Sequence, residues 1–279
     1  MRKVGANDKG LGLRAEFVQQ LCDEPKLADV DFLELAPENW LGIGGRKRDQ
    51  LDQIAAKYPL VAHGLSLSIA DMQPINTGFV REICAFLDEY GIATYSEHLS
   101  LSRDAKGYLY DLFPTPRYEQ NIAYLADRIM QVQDLMGRQL VLENVSYYHN
   151  YPDQMPEGEF IARLTEQSGC GLLLDINNVY VNSHNHGGDA MAMVRSLPSA
   201  SIIYYHIAGH LEQADGLLLD THGMPVIDDV AALGREVFAF HDMRPVLLER
   251  DNNVPTLTDL RAELGDIHRR LNAPLHVAA

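Results

Sequence analysis

Short apolar runs alternate with longer amphipathic segments from one end of the chain to the other, and this alternation restricts the fold more than any other feature. Eight runs read as strands: residues 11–14, 32–35, 60–63, 93–98, 139–144, 171–177, 202–208 and 245–249. Between them, helical periodicity predicts helices over 46–57, 78–90, 117–136, 157–167, 228–240 and 256–270. Strand followed by helix, repeated, gives parallel pairs joined by crossovers. No Pro/Gly/Ser-rich linker divides the 279 residues, so the pattern predicts one α/β domain over 1–279, a single (β/α)8 TIM barrel. A doubly wound open sheet is the alternative. Segments 177–189 and 209–228 read as long loops, and such loops in a compact domain are commonly functional.

The chemistry sits at the strand ends. The third run ends at His63, the fourth at Glu97-His98 and the fifth at Glu143-Asn144, while the last three carry Asp175, His206 and Glu249. Alternate strand residues share a face, so His63 goes with Val61, Glu143 with Val141, Asp175 with Leu173 and Glu249 with Leu247. Polar residues at the C-terminal ends of barrel strands build the sites of this fold. Asp220-Thr221-His222, in the seventh loop, completes a set of four carboxylates and four imidazoles. Such a set in one barrel mouth is costly to desolvate unless cations lie between its members. Eight donors exceed the roughly four to six that one transition ion takes. Two or three ions bridged by Glu143 or Glu249 are therefore expected, and Asn178, three residues after Asp175, adds a further metal donor.

Glu143, Asp175 and Glu249 are the candidate catalytic carboxylates. Asn39, Asn144, His184, His210 and Arg250 are candidates for supporting the cluster or touching substrate. Glu97 points away from the face of its neighbour His98 and reads as half of a helix-facing ion pair; Glu34 reads either way. With no thiolate among the donors, iron, manganese and zinc all remain open.

Composition excludes other classes. The net charge of −16 argues against a nucleic-acid partner. No apolar run approaches the roughly 18 residues of a membrane span, and residues 1–14 lack an apolar signal core, so a cytoplasmic location is expected. Neither GxGxxG nor GxxxxGK[ST] occurs, which leaves nucleotide cofactors without a motif. Cys22, Cys84 and Cys170 form no CxxC pair and read as buried reduced thiols.

Residues 32–40 (FLELAPENW), 63–68 (HGLSLS), 96–100 (SEHLS), 142–145 (LENV), 174–180 (LDINNVY), 206–210 (HIAGH) and 220–223 (DTHG) together resemble the MbnB-like multinuclear non-haem iron oxidases. The resemblance runs in order along nearly the whole chain. It implies a TIM barrel holding two or three iron ions of mixed Fe(II)/Fe(III) valence. It also implies O2-dependent modification of cysteines in a ribosomally made precursor peptide, to products such as a thiooxazole or oxazolone, with a partner protein that presents the peptide. A wider resemblance to xylose isomerase-like barrels, endonuclease IV among them, leaves a metal-dependent phosphodiesterase and a sugar isomerase as alternatives. The charge opposes the first, and the absence of a Lys at any strand end opposes the second. A metal- or peptide-binding module without turnover is the non-enzymatic alternative. Asn178 stands where that nuclease has a His ligand; as a weaker neutral donor, it implies a more open position for one ion.

Overall fold

A computed structural model describes residues 3–274. Its strands are β1 (Lys9–Gly12), β2 (Phe32–Leu35), β3 (Leu60–His63), β4 (Tyr95–His98), β5 (Ser100–Asp104), β6 (Gly107–Pro114), β7 (Val141–Glu143), β8 (Gly171–Asp175), β9 (Ile202–Ile207), β10 (Gly209–Glu212), β11 (Leu218–Met224) and β12 (Val246–Leu248). Its α-helices are α1 (Val18–Asp23), α2 (Gly45–Lys57), α3 (Thr77–Tyr90), α4 (Glu119–Met136), α5 (Glu157–Ser168), α6 (Ile176–His186), α7 (Ala190–Ser196), α8 (Asp228–His241) and α9 (Leu257–Leu271). β1, β2, β3, β4, β7, β8, β9 and β12 close into a parallel barrel, because β1 pairs with both β2 and β12. That closure is the TIM barrel and excludes the open sheet.

Two layers of side chains fill the barrel axis. The lower is apolar: Phe32, Val61, Val141, Leu173, Tyr204 and Leu247. Two residues further along the same strands come Glu34, His63, Glu143, Asp175, His206 and Glu249, which share the inward face because strand residues alternate. The layers fit because β1 contributes glycine: a Cβ on Gly10 would lie 2.6 Å from the Phe32 ring. Outside, amphipathic helices cover the sheet. α3, for example, buries Val80, Ile83, Phe86, Leu87 and Tyr90 along one face, with Asn76 capping its start by accepting from Phe79 N at 3.1 Å.

The loops above the barrel differ from expectation. The first strand begins and ends two residues earlier than 11–14. Segment 177–189 is mostly helix, not loop. The Asp175 carboxylate caps α6 by accepting from Asn178 N at 2.6 Å, and Gly187, at φ +69°, ends it. Segment 209–228 is built around the antiparallel hairpin β10–β11. A second hairpin, β5–β6, follows β4, in a stretch where the sequence pattern predicts no strand. Among the described residues no helix is long and apolar enough to cross a membrane.

Candidate metal centre

Three groups of donors meet at the C-terminal end of the barrel: His63, His98 and Glu143; Glu143, Asp175, His206 and Glu249; and His222, Glu249 and Asp251. Register places them. β4 and β7 set His98 opposite Glu143, and β8 and β9 set Asp175 opposite His206. In the first group, His63 Nε2 and His98 Nε2 are 3.2 Å apart, and Glu143 Oε2 lies 3.1 Å from one and 3.3 Å from the other. Donors about 2.1 Å from a common ion and tetrahedrally spread lie about 3.4 Å apart, so this triangle fits one transition ion. In the second, His206 Nδ1 is 2.8 Å from Glu249 Oε2 and 3.5 Å from Glu143 Oε1. In the third, His222 Nδ1 is 3.1 Å from Glu249 Oε2 and 3.3 Å from Asp251 Oδ2. Glu143 and Glu249 each belong to two groups, the arrangement expected of bridging carboxylates.

Orphaned atoms test whether this set fits metal ions. Buried polar atoms are normally hydrogen-bonded, yet Asp175 Oδ2 and Asn178 Oδ1 have no hydrogen-bond partner, and Glu143 Oε2, His206 Nδ1 and His222 Nε2 lie beside other donors of the cluster in ion-pair contact without hydrogen-bond geometry. Among the twelve such atoms of the described residues, these five gather at the cluster or the cavity above it. Hard and borderline N/O donors left free in this way suit iron, manganese or zinc.

The electrostatics show the same demand for positive charge. Burial disfavours the charged form of His63, but the Glu143 carboxylate beside it, with Glu34 adding, holds the ring up at about 9. Burial and the charge on His63 push His98 down to about 4. His206 is held well above the usual range, against burial, by Glu34 and Glu249, and His222 by Asp220 and Glu249. Burial raises the carboxyls of Glu143 and Glu249, but the surrounding imidazoles outweigh it and hold both low. Asp175 goes the other way, to about 7, through burial and the nearby Glu143 and Asp220, despite His222.

Asp220 reaches His222, at 2.7 Å from Nε2, but falls outside the three donor groups. Ser146 Oγ and Asn177 Nδ2 hold its carboxylate at 2.9 and 2.8 Å. His222 itself sits at φ +44°, a conformation that costs a non-glycine residue about 1–2 kcal/mol. Its carbonyl accepts from Asp251 N at 2.9 Å, which ties the hairpin to the end of the eighth barrel strand. Asn178 turns Nδ2 to the Asn144 carbonyl at 3.0 Å and leaves Oδ1 free. Asn144 also exchanges hydrogen bonds with the backbone of Asp175, so it clamps β7 to β8. His210 bonds Asn177 Oδ1 at 2.8 Å and so supports Asp220 from behind.

Three expectations need correction. Arg250 faces outward and pairs with Glu263 of α9 at 2.7 Å, because its neighbour Glu249 takes the inward face; it is a buried structural cation, not a substrate contact. His184 bonds the Gly216 carbonyl at 3.0 Å and belongs to the hairpin, not the cluster. Glu97 faces outward as expected, but its partners are Tyr95 Oη at 2.7 Å and Leu67 N at 3.0 Å, not a cation. The structure also adds two residues. Glu34, readable either way from sequence, contacts His206 Nε2 at 3.0 Å. Asp251 lies just past the last strand, outside the strand-end pattern; its signal is the Glu249-x-Asp251 spacing, which matches Asp220-x-His222.

Two cavities open onto the cluster. One, of about 400 Å³, is walled by Leu112 and Phe113 on the β5–β6 hairpin and by Tyr147 and Tyr148, with His98, Glu143, His222 and Glu249 at its base. The other, of about 260 Å³, lies on the β1–β2 side and is lined by Arg14, Asn39 and Trp40. Arg14 pairs there with Asp251 and lies 3.6 Å from Glu249.

A family model described as RiPP precursor modification enzyme MbnB/TglH/ChrH matches residues 8–272. The chain is 46% identical over 259 residues to a UPF0276 protein of Shewanella loihica, covering 93% of this chain and 92% of that one. It is 44% identical over 267 residues to a UPF0276 protein of Pseudomonas aeruginosa, covering 96% and 93%. Among solved structures, D-psicose 3-epimerase from Clostridium cellulolyticum superposes with a TM-score of 0.64 at 12% identity, covering 95% of this chain and 98% of that one. Endonuclease IV from Thermus thermophilus gives 0.58 at 15%, also covering 95% and 98%. At such identities the likeness is one of fold.

Proposed function

The chain belongs to the MbnB/TglH/ChrH family of RiPP precursor modification enzymes, and on that footing we propose that it is a multinuclear iron-dependent oxidase. Its substrate is a cysteine of a ribosomally synthesised precursor peptide, its oxidant is O2, and a partner protein presents the peptide. The observation that supports this most is the convergence of three donor groups, sharing Glu143 and Glu249, on the base of one cavity. Adjoining groups bridged by shared carboxylates can hold substrate at one ion and take electrons at its neighbour; paired ions also serve hydrolases, so it is the family membership that favours the oxidase.

His63, His98 and Glu143 would hold one ion; Glu143, Asp175, His206 and Glu249 a second; His222, Glu249 and Asp251 a third, with Asp220 beside His222. Iron bound there would supply one-electron redox chemistry and Lewis acidity, which none of these side chains has. The remaining tasks fall to the chain. The cavity of about 400 Å³ admits one or two peptide side chains. Phe113 and Tyr148, both partly exposed, offer apolar surface to the residues flanking the cysteine and shield the base of the cavity from water. A cysteine thiolate is anionic and softer than any donor the chain provides, so the cluster favours it over a serine hydroxyl.

Anaerobic addition of a Cys-containing precursor peptide to the iron-loaded protein should produce a visible thiolate-to-iron absorption that the Cys→Ser peptide does not. Admitting O2 should then remove hydrogen from the cysteine residue, read by mass spectrometry. Equal absorption with the serine peptide, or hydrolysis with zinc alone and no O2, would overturn the proposal.

A further inference from the structure

Below the cluster, a line of buried polar groups crosses the barrel from His63 to His206. His63 Nδ1 is 2.8 Å from Ser96 Oγ, Ser96 Oγ is 2.6 Å from Tyr204 Oη, and Tyr204 Oη is 2.8 Å from Glu34 Oε2. Glu34 then meets His206 Nε2, at 3.0 Å through Oε1. Every member is buried: Ser96 and His206 at 0% exposure, Tyr204 at 2%, Glu34 at 5% and His63 at 6%. These groups come from four strands of the barrel, β2, β3, β4 and β9.

One end of this line fixes its direction. A carboxylate only accepts, so Tyr204 Oη, with a single proton, donates to Glu34. Ser96 Oγ must then donate to Tyr204, since the other acceptor within its reach, the Ala62 carbonyl, is farther at 3.3 Å. Ser96 Oγ is left to accept, so the proton on His63 Nδ1 is the one retained, and an ion that displaces the other proton meets the lone pair of Nε2, toward His98 and Glu143. From the other side Glu34 accepts from His206 Nε2–H, which leaves Nδ1, facing Glu143 and Glu249, as the nitrogen that gives up its proton to an ion. The two imidazoles thus present opposite ring nitrogens to the cluster, and one carboxylate accounts for both.

We propose that Ser96, Tyr204 and Glu34 are positioning residues, joined in one chain, that fix the donor nitrogen of His63 as Nε2 and of His206 as Nδ1 and thereby tie together the affinities of the two ion positions those rings serve. The proposal rests on the metal-centre part of the functional reading and is independent of the peptide chemistry. Partners that orient a ligand imidazole are typically worth about 10- to 100-fold in metal affinity. Tyr204→Phe removes only the oxygen that joins the two halves, so it should weaken both positions by an amount in that range. Ser96→Ala should act first on the His63 position, and Ser96→Thr, which keeps the hydroxyl, should restore it.

The test uses zinc, which is diamagnetic and leaves the histidine signals readable. In the zinc-loaded full chain with 15N-labelled histidine, NMR should show His63 protonated at Nδ1 and bound through Nε2, and His206 the reverse. Zinc titrations of the variants should show the paired loss for Tyr204→Phe, and melting of the metal-free variants measures any cost to the fold separately. Zinc bound to both rings through the same nitrogen type overturns the proposal while leaving the metal centre standing, as does a Tyr204→Phe protein with unchanged affinity at both positions. A wild-type chain that takes up neither zinc nor iron overturns the metal centre itself.

Discussion

Glu143 and Glu97 are both buried carboxylates, at 2% exposure each, and which strand face each occupies decides what it does. Glu143 faces the axis and belongs to two donor groups. Glu143→Ala should therefore lower iron content by more than one ion per chain and abolish activity, with the circular dichroism spectrum unchanged, since the barrel core lies elsewhere. Glu97 faces the helices, where burial, with Glu38 adding, pushes it up to about 8. Glu97→Ala should leave iron content intact and destabilise the fold by about 1–3 kcal/mol in a denaturant titration, because the buried hydroxyl of Tyr95 and the amide of Leu67 lose their acceptor. Iron loss in Glu97→Ala would contradict this division. The facing of these residues was legible because strand periodicity is strict. Glu34 was not: β2, like β7, is buried on both faces, and Glu34 is followed by Leu35 instead of ending its strand as Glu143 does.

At the level of elements, α6 shows where reading the sequence fails. Its residues INNVYVNSHNH are rich in types with poor helix propensity, hence the expectation of a loop. Tertiary context overrides propensity here. Asp175 caps the helix, and Asn182, buried within it, accepts from Tyr147 N at 3.0 Å and donates to the Val145 carbonyl at 3.1 Å. The two hairpins carry no strand signal for a related reason: each is partly exposed and shifts register part-way, so no clean alternation marks it. Asp175 serves the helix and the cluster with different oxygens, and this separates two variants. Asp175→Asn keeps an acceptor for the cap and removes a charge that burial disfavours. It should lower ion content while changing metal-free stability by no more than about 1 kcal/mol. Asp175→Ala should cost about 1 kcal/mol more, from loss of the cap. Full ion content in the asparagine variant would show that Asp175 is a cap alone.

Across the whole molecule, eight strand-helix units dictate a barrel whose mouth gathers the strand ends, and that much follows from the order of the elements. The depth of the cavity does not, because its walls come from the hairpins and from the Tyr147–Tyr148 segment. The gathered charge makes stability and ion binding respond to pH in opposite senses. His63 is held at about 9, above the roughly 6.5 of an unfolded chain, so its contribution to the metal-free fold is fully present below about pH 6.5 and is lost as pH rises through 9. Ions must displace that proton. Between pH 6.5 and 9, therefore, the stability of the metal-free protein should fall, while the rise in melting temperature on adding ions grows and binding releases protons into weak buffer. A rise that shrinks over this range would be inconsistent with ions bound among these imidazoles. The most direct measurement is iron stoichiometry, by elemental analysis with Mössbauer spectroscopy, on protein from iron-supplemented cells before and after anaerobic reconstitution. Three donor groups joined by Glu143 and Glu249 predict about two to three magnetically interacting iron ions per chain; a protein that holds at most one ion after reconstitution would contradict the multinuclear centre.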